Sequence, residues 1–133
     1  MGETTRKRVK ETLRRAKEVR IWFWDGQREY NGTAQDISAT GFAASFLVTD
    51  ASKQRSIALR PTLVEILVHQ LTTKPLEFRI TGMGEELHIK GQVINVDQSH
   101  ENPDWLLVSG ELSPSRETDR ATLTRMGESI PRS

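Results

Sequence analysis

Cysteine is absent from this chain of 133 residues, and aromatic residues make up only 6% of it. The lack of cysteine excludes disulfides, thiolate metal sites and a cysteine nucleophile, and it fits a reducing compartment. No run of 18 apolar residues is present, so the sequence predicts no transmembrane helix. The first 20 residues contain no apolar block of the kind found in secretory signals. We therefore expect a cytoplasmic protein with no membrane span.

Charge is unevenly distributed along the chain, although the net charge is only +1. Residues 1–20 carry eight Lys or Arg against three Glu, a net +5, and the other 113 residues carry a net −4. A basic arm on a mildly acidic body indicates either an anionic partner for the arm or a solvated terminus. Val9, Leu13 and Ala16 share one helical face, but this stripe is too thin to order the arm alone.

Short segments of β-type residues, separated by turn signals, begin at residue 19. The predicted strands lie at 19–24, 28–37, 41–48, 63–71, 76–80, 87–96 and 105–113. Asp25-Gly26 predicts a hairpin, and Asn31-Gly32 predicts a bulge or a bend. Strands at this regular spacing indicate an antiparallel barrel or sandwich.

The last segment changes from a strand pattern to a helical one. A helix is predicted from about residue 115 to 127, packing on the sheet or on another subunit through one face formed by Leu123, Met126 and Ile130. The predicted organisation is a basic arm at 1–18, a β-barrel at 19–113, and a helix with a tail at 114–133.

The sequence offers little that would support catalysis. His69, His88 and His100 are not grouped at metal-ligand spacing, which favours surface histidines. Phosphate loops and nucleophile elbows are absent, and Asp36 with Ser38 has no third catalytic partner. We therefore expect neither an enzyme nor a cofactor.

One polar turn interrupts the strand pattern, with Asp36, Ser38 and Gly41 in the order D-x-S-x-x-G. Asp and Ser can accept hydrogen bonds from backbone N–H groups two residues on, and Gly permits a positive φ or a close approach. The same residues could hold a base, because a carboxylate accepts from the N1–H and N2–H₂ of guanine. The opposite edge of guanine, with O6 and N7, suits an arginine.

This motif, its preceding hairpin and the basic arm resemble PilZ domains over roughly residues 6–128. The resemblance implies a mainly all-β fold, a six- to seven-stranded antiparallel split β-barrel of PilZ type with a basic N-terminal arm and a C-terminal helix. It also implies that Asp36, Ser38 and Gly41 bind the bacterial second messenger cyclic di-GMP.

The resemblance further implies an R-x-x-x-R pair on the arm that clamps guanines and phosphates. No Arg of the arm has an Arg four positions later. The pair is replaced either by Lys10 and Arg14 or by Arg15 and Arg20. Lys supplies a point charge but lacks the planar fork of Arg, so the first replacement would be a weaker clamp.

Three functions remain open from the sequence. The favoured one is a cyclic di-GMP receptor that relays the messenger level by moving its arm and changing a partner interaction. The first alternative is a PilZ domain that binds no nucleotide and contacts a protein partner, or itself, through the arm or the C-terminal helix. The second is a small barrel that binds single-stranded nucleic acid on Arg20, Trp22 and Trp24, which share a strand face. Nucleic acid is the less favoured ligand, because such a face more often packs inside the protein.

Overall fold

The computed structural model describes residues 18–50 and 55–131, with the backbone alone at residues 55 and 56. The strands are β1 (Arg20–Trp24), β2 (Arg28–Ile37), β3 (Gly41–Asp50), β4 (Arg55–Ser56), β5 (Leu76–Gly82), β6 (Glu85–Gln98) and β7 (Trp105–Leu112). The helices are α1 (Pro61–Thr72) and α2 (Glu117–Ser129). Neither of these helices is long and apolar enough to cross a membrane.

Six of the strands close into an antiparallel barrel in the order β2-β1-β5-β6-β7-β3, because β2 also pairs with β3. The two-residue strand β4 pairs with the end of β3. The predicted β-barrel with a C-terminal helix is therefore confirmed. Closure pairs most strand edges of the barrel, although residues 85–90 of β6 pair with β5 alone.

The barrel is filled by side chains that alternate along each strand. Phe23 stacks on Tyr30 with ring centroids 4.3 Å apart, and Phe46 and Phe78 meet Phe23 edge-on at 5.2 and 5.1 Å. The Tyr30 hydroxyl donates to Asp25 Oδ2 at 2.7 Å, in the predicted Asp25-Gly26 hairpin. Burial, with this hydrogen bond, raises the pKa of Tyr30 well above its ordinary value. The hydrogen bond between Tyr30 and Asp25 therefore connects the first hairpin to the core of the barrel.

The strand predicted at 63–71 is wrong, because these residues belong to α1. Pro61 occupies the first turn, where its missing N–H costs nothing and its fixed φ suits a helix. Leu63, Leu67 and Leu71 are four residues apart, and Leu67 and Leu71 are fully buried. This spacing is helical, but the many aliphatic residues of the segment also fit a strand, and this led to the wrong prediction.

Helix α1 covers the half of β6 that β5 does not reach. Strand β5 pairs with β6 only from Glu85 to Gly91. Beyond that point, Gln92 Nε2 donates to the carbonyl of Thr72 and Gln98 Nε2 to the carbonyl of Leu59, both at 2.8 Å. The helix therefore runs antiparallel to the second half of β6.

Helix α2 starts two residues later than predicted and packs on the barrel. Leu123 and Met126 are fully buried, and Ile130 is half-buried against the same core. Gly127 lies so close to the Ile37 carbonyl at the end of β2 that any side chain would collide with it. Of the two predicted packing modes, the structure shows the one on the chain's own sheet.

Candidate functional site

A β-bulge near the end of β2 turns Asp36 outward. Ala34 pairs with Ala44 and Asp36 with Ala43, so Gln35 is an extra residue in the strand. Gln35 and Asp36 are therefore both exposed, and Gln35 Nε2 donates to Ser45 Oγ at 2.7 Å. The Asp36 carboxylate makes no hydrogen bond or ion pair with any residue that the structure describes. It is therefore available to a donor other than the described residues.

The bulge predicted at Asn31-Gly32 is wrong in position. Gly32 pairs in regular register with Phe46 on β3. A Cβ at residue 32 would collide with the Ser45 carbonyl oxygen and lie 2.7 Å from Phe46 Cδ1, so this glycine allows β3 and its core ring to approach closely. Gly32 is therefore needed for packing between β2 and β3, and it does not mark a bend in the strand.

Ser38 stabilises the hairpin between β2 and β3. Its N–H donates to the Gly41 carbonyl at 2.9 Å, closing a loop of two residues. Its hydroxyl oxygen accepts from the N–H of Thr40 at 3.2 Å and of Gly41 at 3.3 Å. The side chain thus has a local structural task, as the turn interpretation predicts.

Gly41 is needed for close packing between strands. Among the described glycines, only Gly26 and Gly84 have a positive φ, so Gly41 does not need one. A Cβ at residue 41 would lie 2.8 Å from the carbonyl oxygen of Gly110 on β7. Of the two explanations for this glycine, close approach is the one that the structure shows.

The start of β1 lies beside the bulge that carries Asp36. The Ala34 N–H donates to the Val19 carbonyl at 2.8 Å, and Arg20 pairs with Thr33. Arg20 is exposed on the outer face of the barrel. Lys10, Arg14 and Arg15 of the predicted clamp lie outside the described residues.

An open groove of about 340 Å³ lies on the outer surface next to the bulge. Its described lining includes Gln35, Ala43, Asn95, Asp97, Leu107 and Ser109, and no Lys or Arg. A second bulge in β6, between Val93 and Asn95, turns Asn95 outward on the far wall. The groove residues of β6 and β7 could not be predicted from the sequence. Neither strand carries a motif, and only strand pairing brings these residues to the groove.

The predicted aromatic strand face lies on the outside of the barrel. Trp24 is 40% exposed, Trp22 is half-buried, and the Arg79 guanidinium lies 4.9 Å from the centre of the Trp22 ring. His69, His88 and His100 are all exposed, as predicted. Within 18–50 and 55–131, no group of three His, Asp or Glu side chains could hold a metal ion.

The chain thus combines a closed antiparallel barrel with an exposed carboxylate beside the start of its first strand. No protein-family model, curated protein or solved structure matches the chain. The properties of the site therefore rest on the residues described above.

Proposed function

We propose that this chain is a PilZ-type receptor domain that binds cyclic di-GMP between Asp36 and the basic arm. The observation that carries the proposal is the position of Asp36. Its carboxylate is exposed, has no described partner, and lies where the chain passes from the basic arm into β1. A guanine with a phosphate needs both an acceptor and positive charge, and this end of the barrel supplies both.

The carboxylate of Asp36 suits the Watson–Crick edge of guanine. N1–H and N2–H₂ of guanine are two parallel donors, and a carboxylate has two acceptor oxygens. Hydrogen bonds to a charged acceptor are stronger than those between neutral groups. The Ser38 hydroxyl accepts two backbone N–H groups, and its own hydrogen already has acceptors in the hairpin, with the Gly41 carbonyl at 3.5 Å and Thr40 Oγ1 at 3.2 Å. The Asp36 carboxylate therefore favours guanine over adenine, which lacks the N1–H donor.

The length of the chain allows the arm to approach this carboxylate. Arg15 and Arg14 precede Glu18, the first described residue, by three and four positions. A chain spans at most roughly 3.5 Å per residue, so Arg15 is tethered within about 10 Å and Arg14 within about 14 Å of that point. Both guanidinium groups can therefore approach a ligand held by Asp36, where phosphates attract Arg.

The groove beside Asp36 gives a purine ring a place to lie. Its floor consists of the small side chains Ala43 and Ser109, with Leu107 beside them. A volume of about 340 Å³ falls at the lower end of the range of ligand sites. The lack of Lys or Arg in its described lining leaves the phosphates to the arm.

A PilZ domain that binds no nucleotide is the second candidate, and two specific observations favour it. Ser38 and Gly41 both have structural tasks in the hairpin, so two of the three motif residues are explained without a ligand. The arm also lacks an R-x-x-x-R pair. Such a module would not use the apolar face of α2, because Leu123 and Met126 are fully buried.

Calorimetric titration of the full chain with cyclic di-GMP, with GTP as the control ligand, tests the proposal. We expect saturable binding of cyclic di-GMP in the micromolar range or tighter, and little binding of GTP. Asp36→Asn preserves the shape of the side chain but replaces an acceptor by a donor. We expect it to weaken binding by roughly tenfold or more, the scale of a hydrogen bond to a charged group.

Asp104→Asn is the matched control. Asp104 is also an exposed carboxylate, but it precedes the end of β7 that lies farthest from Gly41. It should leave binding unchanged. Absence of heat at high protein concentration, or equal losses in both variants, would overturn nucleotide binding at Asp36 and favour the second candidate.

A further inference from the structure

The hairpin between β5 and β6 carries an exposed apolar side chain beside the start of β1. Gly82 pairs with Glu85, so the turn consists of Met83 and Gly84 alone. Met83 is 45% exposed, and it is one of only four large apolar side chains exposed among the described residues. A Cβ at Gly82 would lie 3.2 Å from the carbonyl oxygen of Glu18. The chain therefore enters β1 in close contact with this hairpin.

Methionine does not suit the conformation of this turn. Met83 has a φ of 53° and Gly84 a φ of 74°, and two positive values in a two-residue turn define type I′. This turn favours Asn, Asp or Gly at its first position, because other side chains crowd their own backbone at positive φ. Met83 is the only non-glycine residue with positive φ in the described chain. The turn gives no reason for a methionine, which indicates that its side chain contacts something beyond the turn.

The charge around this turn is negative. At this end of β1, β5 and β6, the exposed charged residues are Glu18, Arg20, Glu85 and Glu86. Glu86 lies 3.9 Å from Arg79. Glu18 and Glu85, in contrast, have no ion-pair partner within residues 18–50 and 55–131. A segment complementary to this surface therefore combines an apolar side chain with neighbouring cations.

The basic arm has this combination next to the hairpin. Its last residues include the apolar Leu13 and Ala16 and the cations Arg14, Arg15 and Lys17. A chain spans at most roughly 3.5 Å per residue, so Leu13, five positions before the first described residue, is tethered within about 18 Å of it. Tethering gives the arm a high effective concentration at the hairpin, so a small contact suffices to hold it.

We propose that the β5–β6 hairpin is the docking surface of the chain's own basic arm, with Leu13 against Met83 and the arm cations against Glu85. In the strand order, β5 lies on one side of β1, and β2 with Asp36 lies on the other. An arm docked on the hairpin is therefore turned away from Asp36, and its arginines are withheld from the proposed nucleotide site. This second step rests on the proposed function, whereas the docking does not.

Trypsin cleavage of the full chain tests the docking, because docking protects the Lys and Arg of the arm. Mass spectrometry of the intact chain measures the initial rate of cleavage after Arg14, Arg15 and Lys17. Met83→Asn removes the apolar contact and suits a positive φ, so the variant should fold. It should speed cleavage by roughly fourfold or more, the scale of one buried methylene group. Ile94→Asn is the matched control, since Ile94 is 52% exposed on the second bulge of β6.

A second pair of variants tests the charge contact. Glu85→Gln keeps the shape of the side chain but removes its charge, and it should also speed cleavage. Glu101→Gln is the control, because Glu101 is exposed in the loop between β6 and β7, at the opposite end of β6. Circular dichroism checks that each variant is folded. Cleavage unchanged by Met83→Asn, or accelerated equally by Ile94→Asn, would overturn the docking.

Titration of Met83→Asn with cyclic di-GMP tests the second step. If docking withholds the arm, the variant should bind the ligand more tightly than the original chain, because a larger fraction of molecules is competent to bind. An unchanged affinity in a variant with accelerated cleavage would overturn this step. Accelerated cleavage without nucleotide binding by either protein would instead overturn the proposed function and leave the docking in place.

Discussion

The carbonyl oxygen of Gly110 on β7 faces Gly41 so closely that a Cβ at residue 41 would lie 2.8 Å from it. Gly41→Ala should therefore destabilise the protein by about 1–3 kcal/mol, because β3 and β7 must move apart. Chemical denaturation measures this loss. Gly82→Ala is the comparison, since its Cβ would be 3.2 Å from the Glu18 carbonyl, and it should cost less. Equal losses would contradict the packing role of Gly41.

Ser38→Ala removes the hydroxyl that accepts the N–H groups of Thr40 and Gly41. We expect a loss of about 1 kcal/mol in the free energy of unfolding, because the turn loses its side-chain acceptor. Ser38→Asp should recover most of it, since a carboxylate accepts the same N–H groups in an Asx-turn. Unfolding in urea measures both variants. A stability unchanged by Ser38→Ala would show that the hydroxyl is not needed for the fold.

Tyr30 is the single tyrosine of the chain, and burial raises its pKa well above its ordinary value. In the unfolded chain the phenol ionises near pH 10, whereas in the folded chain it keeps its proton. Its stabilising contribution is therefore complete below about pH 10 and is lost as the pH rises further, by about 1.4 kcal/mol per pH unit. Absorbance of tyrosinate during alkaline titration should rise only with unfolding. Ionisation of Tyr30 near pH 10 in the folded protein would contradict this prediction. The Tyr30→Phe variant, which has no tyrosine, provides the absorbance blank.

The strands could be predicted from the sequence wherever a turn signal fixed their ends. Asp25-Gly26 forms the first hairpin, with Asp25 Oδ1 accepting from the N–H of Gln27 and Arg28 at 2.8 and 2.7 Å. The segment at 63–71 was mistaken because its aliphatic residues satisfy strand preferences, and the four-residue spacing of its leucines was overlooked. The prediction of a strand followed from local composition, whereas packing against β6 stabilises this segment as a helix.

The candidate site could be predicted only in the part that is local in sequence. Asp36, Ser38 and Gly41 were found because they form one motif. The position of Asn95 on the groove wall depends on two bulges and on which strands pair with one another. Both are determined by tertiary packing and not by the local sequence. No pattern in the sequence of β6 marks Asn95 as a partner of the residues around Asp36.

Removal of two arginines tests the basic arm. Arg14→Ala with Arg15→Ala should weaken binding of cyclic di-GMP by about 2 kcal/mol or more, because charge-assisted contacts to phosphate are lost. Calorimetry at constant salt measures the change. Arg6→Ala with Arg8→Ala removes the same charge farther from β1, and should have a smaller effect. Equal effects of the two double variants would show general attraction instead of a clamp.

Lys10→Arg distinguishes the two possible clamps. If Lys10 and Arg14 act together, this change creates the R-x-x-x-R pair that the resemblance implies, and a planar fork replaces a point charge. We then expect cyclic di-GMP to bind more tightly, with no change in the stability of the barrel. Arg20→Ala is the counterpart, because it should weaken binding only if Arg15 and Arg20 form the clamp. Calorimetry on both variants decides between them, and an affinity unchanged in both would remove each pair from the binding site.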